Sequence, residues 1–117
     1  MIKKLTNFKI NTSSSISRAL NVINKNMSGA CFVVDDKNVL KGVITDGDIR
    51  RAILKKNLLS TKVSKIIKKN FFYLNYKSKP EVINKSLNKN IRIIPLVNKN
   101  KQLKGFVSSK NQISLAK

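Results

Sequence analysis

Two stretches of this chain lie over each other without a gap. Leu40-Lys41-Gly42-Val43-Ile44-Thr45 matches Leu103-Lys104-Gly105-Phe106-Val107-Ser108, and Phe32-Val33-Val34-Asp35 matches Pro95-Leu96-Val97-Asn98, at one constant offset of 63 residues. Upstream, Asn24-Lys25-Asn26-Met27 matches Asn88-Lys89-Asn90-Ile91 at an offset of 64, a single-residue gap. A repeat of this length is one supersecondary unit used twice, each copy burying its apolar face with the help of the other. The 117 residues therefore read as two half-domains, 1–60 and 61–117, related by a pseudo-two-fold axis.

Each unit reads helix, strand, turn, strand, helix, which makes the fold class α+β (α/β). Ser13-Ser14-Ser15 is helix-capping material, and Ile16, Ala19, Leu20, Ile23 and Met27 then recur at three- and four-residue spacing. The copy of this helix opens at Ser78-Lys79-Pro80-Glu81 and carries Val82, Ile83 and Leu87. Ala30 to Val34 and Ile91 to Val97 are short β-rich runs that read as buried strands. Polar turns, Asp35 to Asn38 and Asn98 to Lys101, lead into second strands, Val39 to Thr45 and Gln102 to Ser108. A last helix is expected over Asp48 to Lys56, with Ile49, Ala52 and Ile53 inward; in the second unit it is only hinted at by Gln112 to Ala116. Between the units, Val63 to Ile67 suggests a short helix and Phe71-Phe72-Tyr73-Leu74 an extended run whose aromatics pack as core.

Composition removes several chemistries. With 41% hydrophobic residues and a mean hydropathy of -0.23 the chain falls in the globular range. Its longest apolar runs, Ala30 to Val34 and Ile93 to Val97, are five residues, far short of the roughly 20 a membrane span needs. The basic start, Met1 to Asn7, lacks the apolar region of a secretory signal, so a cytoplasmic protein with no membrane association is expected. A single cysteine, Cys31, excludes an internal disulfide or a cysteine metal cage, and the absence of histidine removes the usual zinc sites and imidazole catalysis. No metal site and no required cofactor are expected. The 25 Lys and Arg against 5 Asp and Glu give +20, a field that attracts polyanions. The bases are 21 Lys and four Arg, alongside many Asn and Ile, a mixture that A/T-rich codons also produce without selection for binding.

The most informative segment is Gly42-Val43-Ile44-Thr45-Asp46-Gly47-Asp48-Ile49-Arg50-Arg51. A strand ends, a turn with Gly47 follows, and a helix begins, so backbone N–H groups face outward as an anion site. Thr45 offers a hydroxyl and Asp48 a carboxylate beside it. One carboxylate accepts both hydroxyls of a vicinal diol, which suits a ribose above a phosphate, with Arg50 and Arg51 placed to neutralise that phosphate. Helix capping by Asp46 and Asp48 accounts for the same spacing, as does a solvated face of Arg50, Arg51, Lys55 and Lys56. Asp46 and Asp48 would repel a polyphosphate, so AMP or ADP is expected to compete well with ATP unless Arg50, Arg51 or a lysine from unit two reaches in.

The duplicated unit with Gly42-x-x-Thr45-x-x-Asp48 resembles the CBS domain, named after cystathionine β-synthase, and the two copies resemble a CBS pair, or Bateman module, over roughly Phe8 to Leu115. Unit two matches the pattern in relaxed form with Gly105, Phe106, Ser108 and Asn111. A second family motif, hydrophobic residues ending in Pro, is present as Ile91-Arg92-Ile93-Ile94-Pro95, where unit one has Phe32. The resemblance implies a regulatory, non-catalytic module that binds AMP, ADP, ATP or S-adenosylmethionine between its units and commonly dimerises into a flat disc. It places Thr45 and Asp48 at the ribose and phosphate, with Asp46 and Arg51 alongside, and Ile94 and Pro95 at an adenine; Ser108 and Asn111 are the unit-two counterparts. The string Thr-Asp-Gly-Asp-Ile-Arg-Arg is similar to CBS pairs placed before bacterial sugar-nucleotidyltransferase domains and to those following sugar-phosphate isomerase domains; the start near Met1 fits the former. The end at Lys117 suggests a fragment of such a protein.

Three functions follow. The first is an adenine-nucleotide sensor controlling an attached or partner enzyme. The second is a homodimerisation module with empty clefts. The third is a basic nucleic-acid-binding module with Phe71, Phe72, Tyr73 and Tyr76 as stacking platforms, its binding to nucleic acid otherwise only non-specific.

Overall fold

A computed structural model describes residues 4–68, 70–88, 91–109 and 111–115, the last stretch by its backbone. Unit one runs β1 (Lys9–Asn11), α1 (Ile16–Asn26), β2 (Ala30–Val34), β3 (Leu40–Thr45) and α2 (Asp46–Leu54). Unit two runs β4 (Leu74–Asn75), α3 (Pro80–Ser86), β5 (Ile93–Val97), β6 (Leu103–Ser108) and β7 (Asn111–Leu115). The sheets have the orders β1-β2-β3 and β4-β5-β6-β7. In each, a short first strand pairs in parallel with the second, which forms an antiparallel hairpin with the third. Among the described residues no helix is long and apolar enough to cross a membrane.

Local chemistry explains the elements. The Ser15 hydroxyl caps α1 by accepting from the Arg18 N–H at 3.1 Å. Ile16, Ala19, Val22 and Ile23 form the buried stripe, whereas Leu20 is 39% exposed and Met27, in the left-handed conformation at the helix end, is 82% exposed. The apolar face is thus turned toward Val22, away from the side expected to carry Leu20 and Met27. Helix α2 begins two residues earlier than the apolar spacing suggested and leaves Ile53 exposed, with Ile49 and Ala52 inward. Pro80 opens α3, where its missing N–H removes no bond, and Ile83 is the residue buried.

The two hairpins are built alike. The Asp35 carboxylate accepts from the N–H groups of Lys37 (2.9 Å) and Val39 (3.0 Å); 63 residues on, the Asn98 side-chain oxygen accepts from Asn100 (3.0 Å) and Gln102 (2.9 Å). Asn38 and Lys101 adopt matching positive φ values of 65° and 62°. At these hairpins the units exchange a reciprocal pair of bonds, the Leu40 N–H donating to the Lys101 carbonyl (2.8 Å) and the Leu103 N–H to the Asn38 carbonyl (3.0 Å). That pair lies on the pseudo-two-fold axis.

Strand alternation sorts side chains into three cores. From β2, Cys31 and Val33 face α1 and α2, while Phe32 and Val34 face the other unit. From β5, Ile94 and Leu96 face α3, while Ile93 and Val97 face unit one. The shared centre holds Phe8, Phe32, Leu40, Leu103 and Phe106, with ring centroids of Phe8 and Phe106 4.4 Å apart. The aromatic linker run is only partly core: Phe71 packs against this centre, but Phe72 and Tyr73 are exposed.

One element departs from expectation. Where a last helix was hinted at over Gln112 to Ala116, Asn111–Leu115 is a strand paired antiparallel with β6; Ala116 lies outside the described residues. The residues explain it: Gln112-Ile113-Ser114-Leu115 alternates polar and apolar with period two, whereas Ile49 and Ala52 in unit one keep the helical three-residue step. The unit pattern helix-strand-strand-helix therefore holds for unit one, and unit two closes with a strand.

Candidate functional site

Thr45, Asp46, Asp48 and Arg51 come together where β3 runs into α2. Thr45 is the N-cap: its hydroxyl accepts from the Asp48 N–H (3.2 Å), and its own N–H donates to the Asp48 carboxylate (2.9 Å). This reciprocal capping box holds both side chains in place. Arg51 folds back over the first turn and donates to the other Asp48 oxygen at 2.8 Å. Gly47 permits this, since a Cβ there would lie 3.2 Å from the guanidinium. Asp46 is exposed, and its N–H donates to the Gly29 carbonyl at 3.0 Å.

Burial alone would lift the Asp48 carboxyl, but hydrogen bonds from the Thr45 backbone, Arg51 and the Thr45 side chain, with the charge of Lys68, more than offset it. Asp48 is held below its ordinary range and is ionised at neutral pH. Its two oxygens offer about four acceptor sites, and the bonds from Thr45 and Arg51 take up only part of them. The Thr45 hydroxyl, an acceptor in the cap, can still donate its own proton. A fixed carboxylate beside a hydroxyl at a helix start can take a diol and a phosphate side by side.

The unit-two candidates are dispersed. Ile94 is 0% exposed, packed with Ile83, Leu96 and Val107 on the α3 side, so strand alternation turns it away from the centre. Pro95 pairs with Phe106 in β5–β6 and is buried. Ser108 ends β6; its buried hydroxyl has no hydrogen-bond partner among the described residues. No helix follows it to be capped. Asn111 opens β7 opposite Ser108 in the ladder.

Two further residues belong to the unit-one site. Ile67 packs on Gly42, where an added Cβ would lie 3.0 Å from the Ile67 Cβ. Next to it, Lys68 places its Nζ 4.0 Å from the Asp48 carboxylate. Neither is signalled by the motif, because both come from the linker some 20 residues on; the bare Gly42 was the clue that something approaches the strand. Among the described residues there is no cluster of acidic, Cys or His side chains able to hold a metal.

Residues 1–55 match the family model of the CBS domain. The chain is 31% identical over 108 residues to the carnitine transport ATP-binding protein OpuCA of Listeria monocytogenes, covering 91% of this chain and 26% of that protein. It is 31% identical over 97 residues to the arabinose 5-phosphate isomerase GutQ of Salmonella typhi, covering 82% of this chain and 30% of that protein. The chain thus spans under a third of the length of these relatives. Among solved structures, the CBS domain protein PAE2072 of Pyrobaculum aerophilum, complexed with AMP, superposes with a TM-score of 0.69 at 22% identity, covering 87% of this chain and 79% of that one. Residues 1–55 thus match the CBS domain family, and the chain as a whole has the fold of a CBS domain pair. Such pairs are regulatory modules and not catalytic ones.

Proposed function

We propose that the chain is the cytoplasmic adenine-nucleotide sensor of a larger protein and that unit one holds the nucleotide. The observation that carries this is the capping box, which leaves Asp48 ionised, oriented by three hydrogen bonds and able to accept ribose hydroxyls. Thr45 then donates to the phosphate. The AMP bound by the Pyrobaculum relative supports this ligand class. For the controlled enzyme we propose a sugar-nucleotidyltransferase-type domain, on the strength of the Thr45 to Arg51 string; the isomerase relative also belongs to sugar chemistry.

Titration calorimetry with AMP, ADP and ATP tests the site. Asp48→Ala is expected to lose about 1.5–3 kcal/mol of binding, the range for hydrogen bonds to charged groups, and Asn111→Ala clearly less. Thermal unfolding measured alongside separates lost capping from lost binding. Equal losses, or a larger one at Asn111, would move the site to unit two. No binding of any adenine nucleotide would refute the sensor.

That last outcome would favour a second reading, a homodimerisation module. Leu54 and Leu58 are 75% and 70% exposed, with Ile53 and Leu59 also exposed near the α2 end, and a second copy would cover them. Two copies at +20 each repel, so such a dimer strengthens with salt in light scattering.

A further inference from the structure

We propose that Lys68 makes the unit-one site select adenine nucleotides carrying more than one phosphate; this deepens the nucleotide reading above and rests on it. The charges at the start of α2 argue against a polyphosphate on their own. Asp46 and Asp48 both lie in the first turn, and Arg51 is already engaged with Asp48 at 2.8 Å. A phosphate tail there meets two carboxylates and one committed guanidinium, and Arg50, exposed on the same helix, is not paired with Asp48 among the described residues, so without another cation beside that carboxylate a monophosphate is the better fit.

Lys68 is that other cation. Its Nζ is 4.0 Å from the Asp48 carboxylate, outside hydrogen-bond range, so its three donors remain available. Its side chain is 75% exposed and therefore open to a ligand. It is also held near by its backbone. The linker is anchored by the bond from the Val63 N–H to the Ser14 carbonyl (2.8 Å), and Ile67 seats on Gly42, three residues before Thr45. A compact ammonium on a flexible stem suits a mobile terminal phosphate better than a fixed guanidinium does. As a mere surface ion pair with Asp48, Lys68 would contribute little to anything.

The test is calorimetry with AMP, ADP and ATP at fixed ionic strength on the wild type, Lys68→Ala, Lys68→Arg and Lys25→Ala, the last a control for general charge because Lys25 is exposed on α1. The wild type is expected to bind ATP and ADP more tightly than AMP. Lys68→Ala should weaken ATP five- to tenfold and AMP less than twofold, Lys68→Arg should keep most of the preference, and Lys25→Ala should leave it unchanged. Equal losses for all three nucleotides, a loss matched by Lys25→Ala, or a wild type preferring AMP would overturn the proposal while leaving the nucleotide site standing. If the wild type binds none of the three, the site itself is wrong and this inference falls with it. The exposed position makes misfolding of Lys68→Ala easy to check by an unchanged unfolding temperature.

Discussion

Unit one and unit two run in parallel until one residue and then part. Both have a short parallel strand, a helix, an antiparallel hairpin turned by an Asx side chain, and a second strand ending in a hydroxyl, Thr45 or Ser108. After Thr45 comes a helix whose first N–H groups need an acceptor, and the hydroxyl supplies one. After Ser108 comes a strand, and the buried hydroxyl has no partner among the described residues. The strands and the centre obey the repeat, while the recognition chemistry depends on the element that follows. Even the centre admits only one copy of some side chains. Ile10 pairs with Val33 and Leu74 with Leu96, which makes Phe8 and Phe72 counterparts two residues upstream. Phe8 is buried against Phe32 and Phe106, whereas Phe72 is 44% exposed.

The largest expected effect tests whether the units share one centre. Phe106→Ala should lower stability in urea by about 3–5 kcal/mol, the usual range for a buried phenylalanine, within a single cooperative transition. The thiol of Cys31, pushed up to about 12 by burial, reports from unit one: it should label slowly in the wild type and faster in this unit-two variant. Unchanged labelling with a separate early transition would show two independent units.

A smaller pair of effects sharpens the contrast at the strand ends. Thr45→Ala should cost about 1 kcal/mol, the typical loss of an N-cap. Ser108→Ala should be neutral or slightly stabilising, because it removes a buried hydroxyl that makes no bond. Equal losses in chemical denaturation would mean that the Ser108 hydroxyl has a partner after all.

The smallest concerns pH. The Asp48 carboxyl is held below its ordinary value in the folded state, so the stability it contributes is fully present above the unfolded value, roughly 3.9, and is lost as pH falls through the folded one. The stability gap between the wild type and Asp48→Asn should therefore be constant near neutrality and narrow below about pH 4. A gap that widens on acidification would contradict the assigned direction.

The sequence by itself determined the repeat, the hairpins, the inward-facing strands and the Thr45–Asp48 motif, because these rest on short-range spacing: a 63-residue offset, period-two alternation and a three-residue capping step. It also held the cue for β7, since Ile113 and Leu115 alternate with Gln112 and Ser114, although the repeat of unit one pointed to a helix there. The turn of α1 that buries Val22 and exposes Leu20 could not be read from spacing alone, because which of two adjacent stripes is buried depends on where the sheet lies. Placing Ile94 against α3 and Lys68 beside Asp48 likewise needed the tertiary structure. Those contacts join segments far apart in the chain, and they exist because a strand has two faces and the linker seats Ile67 where Gly42 carries no side chain.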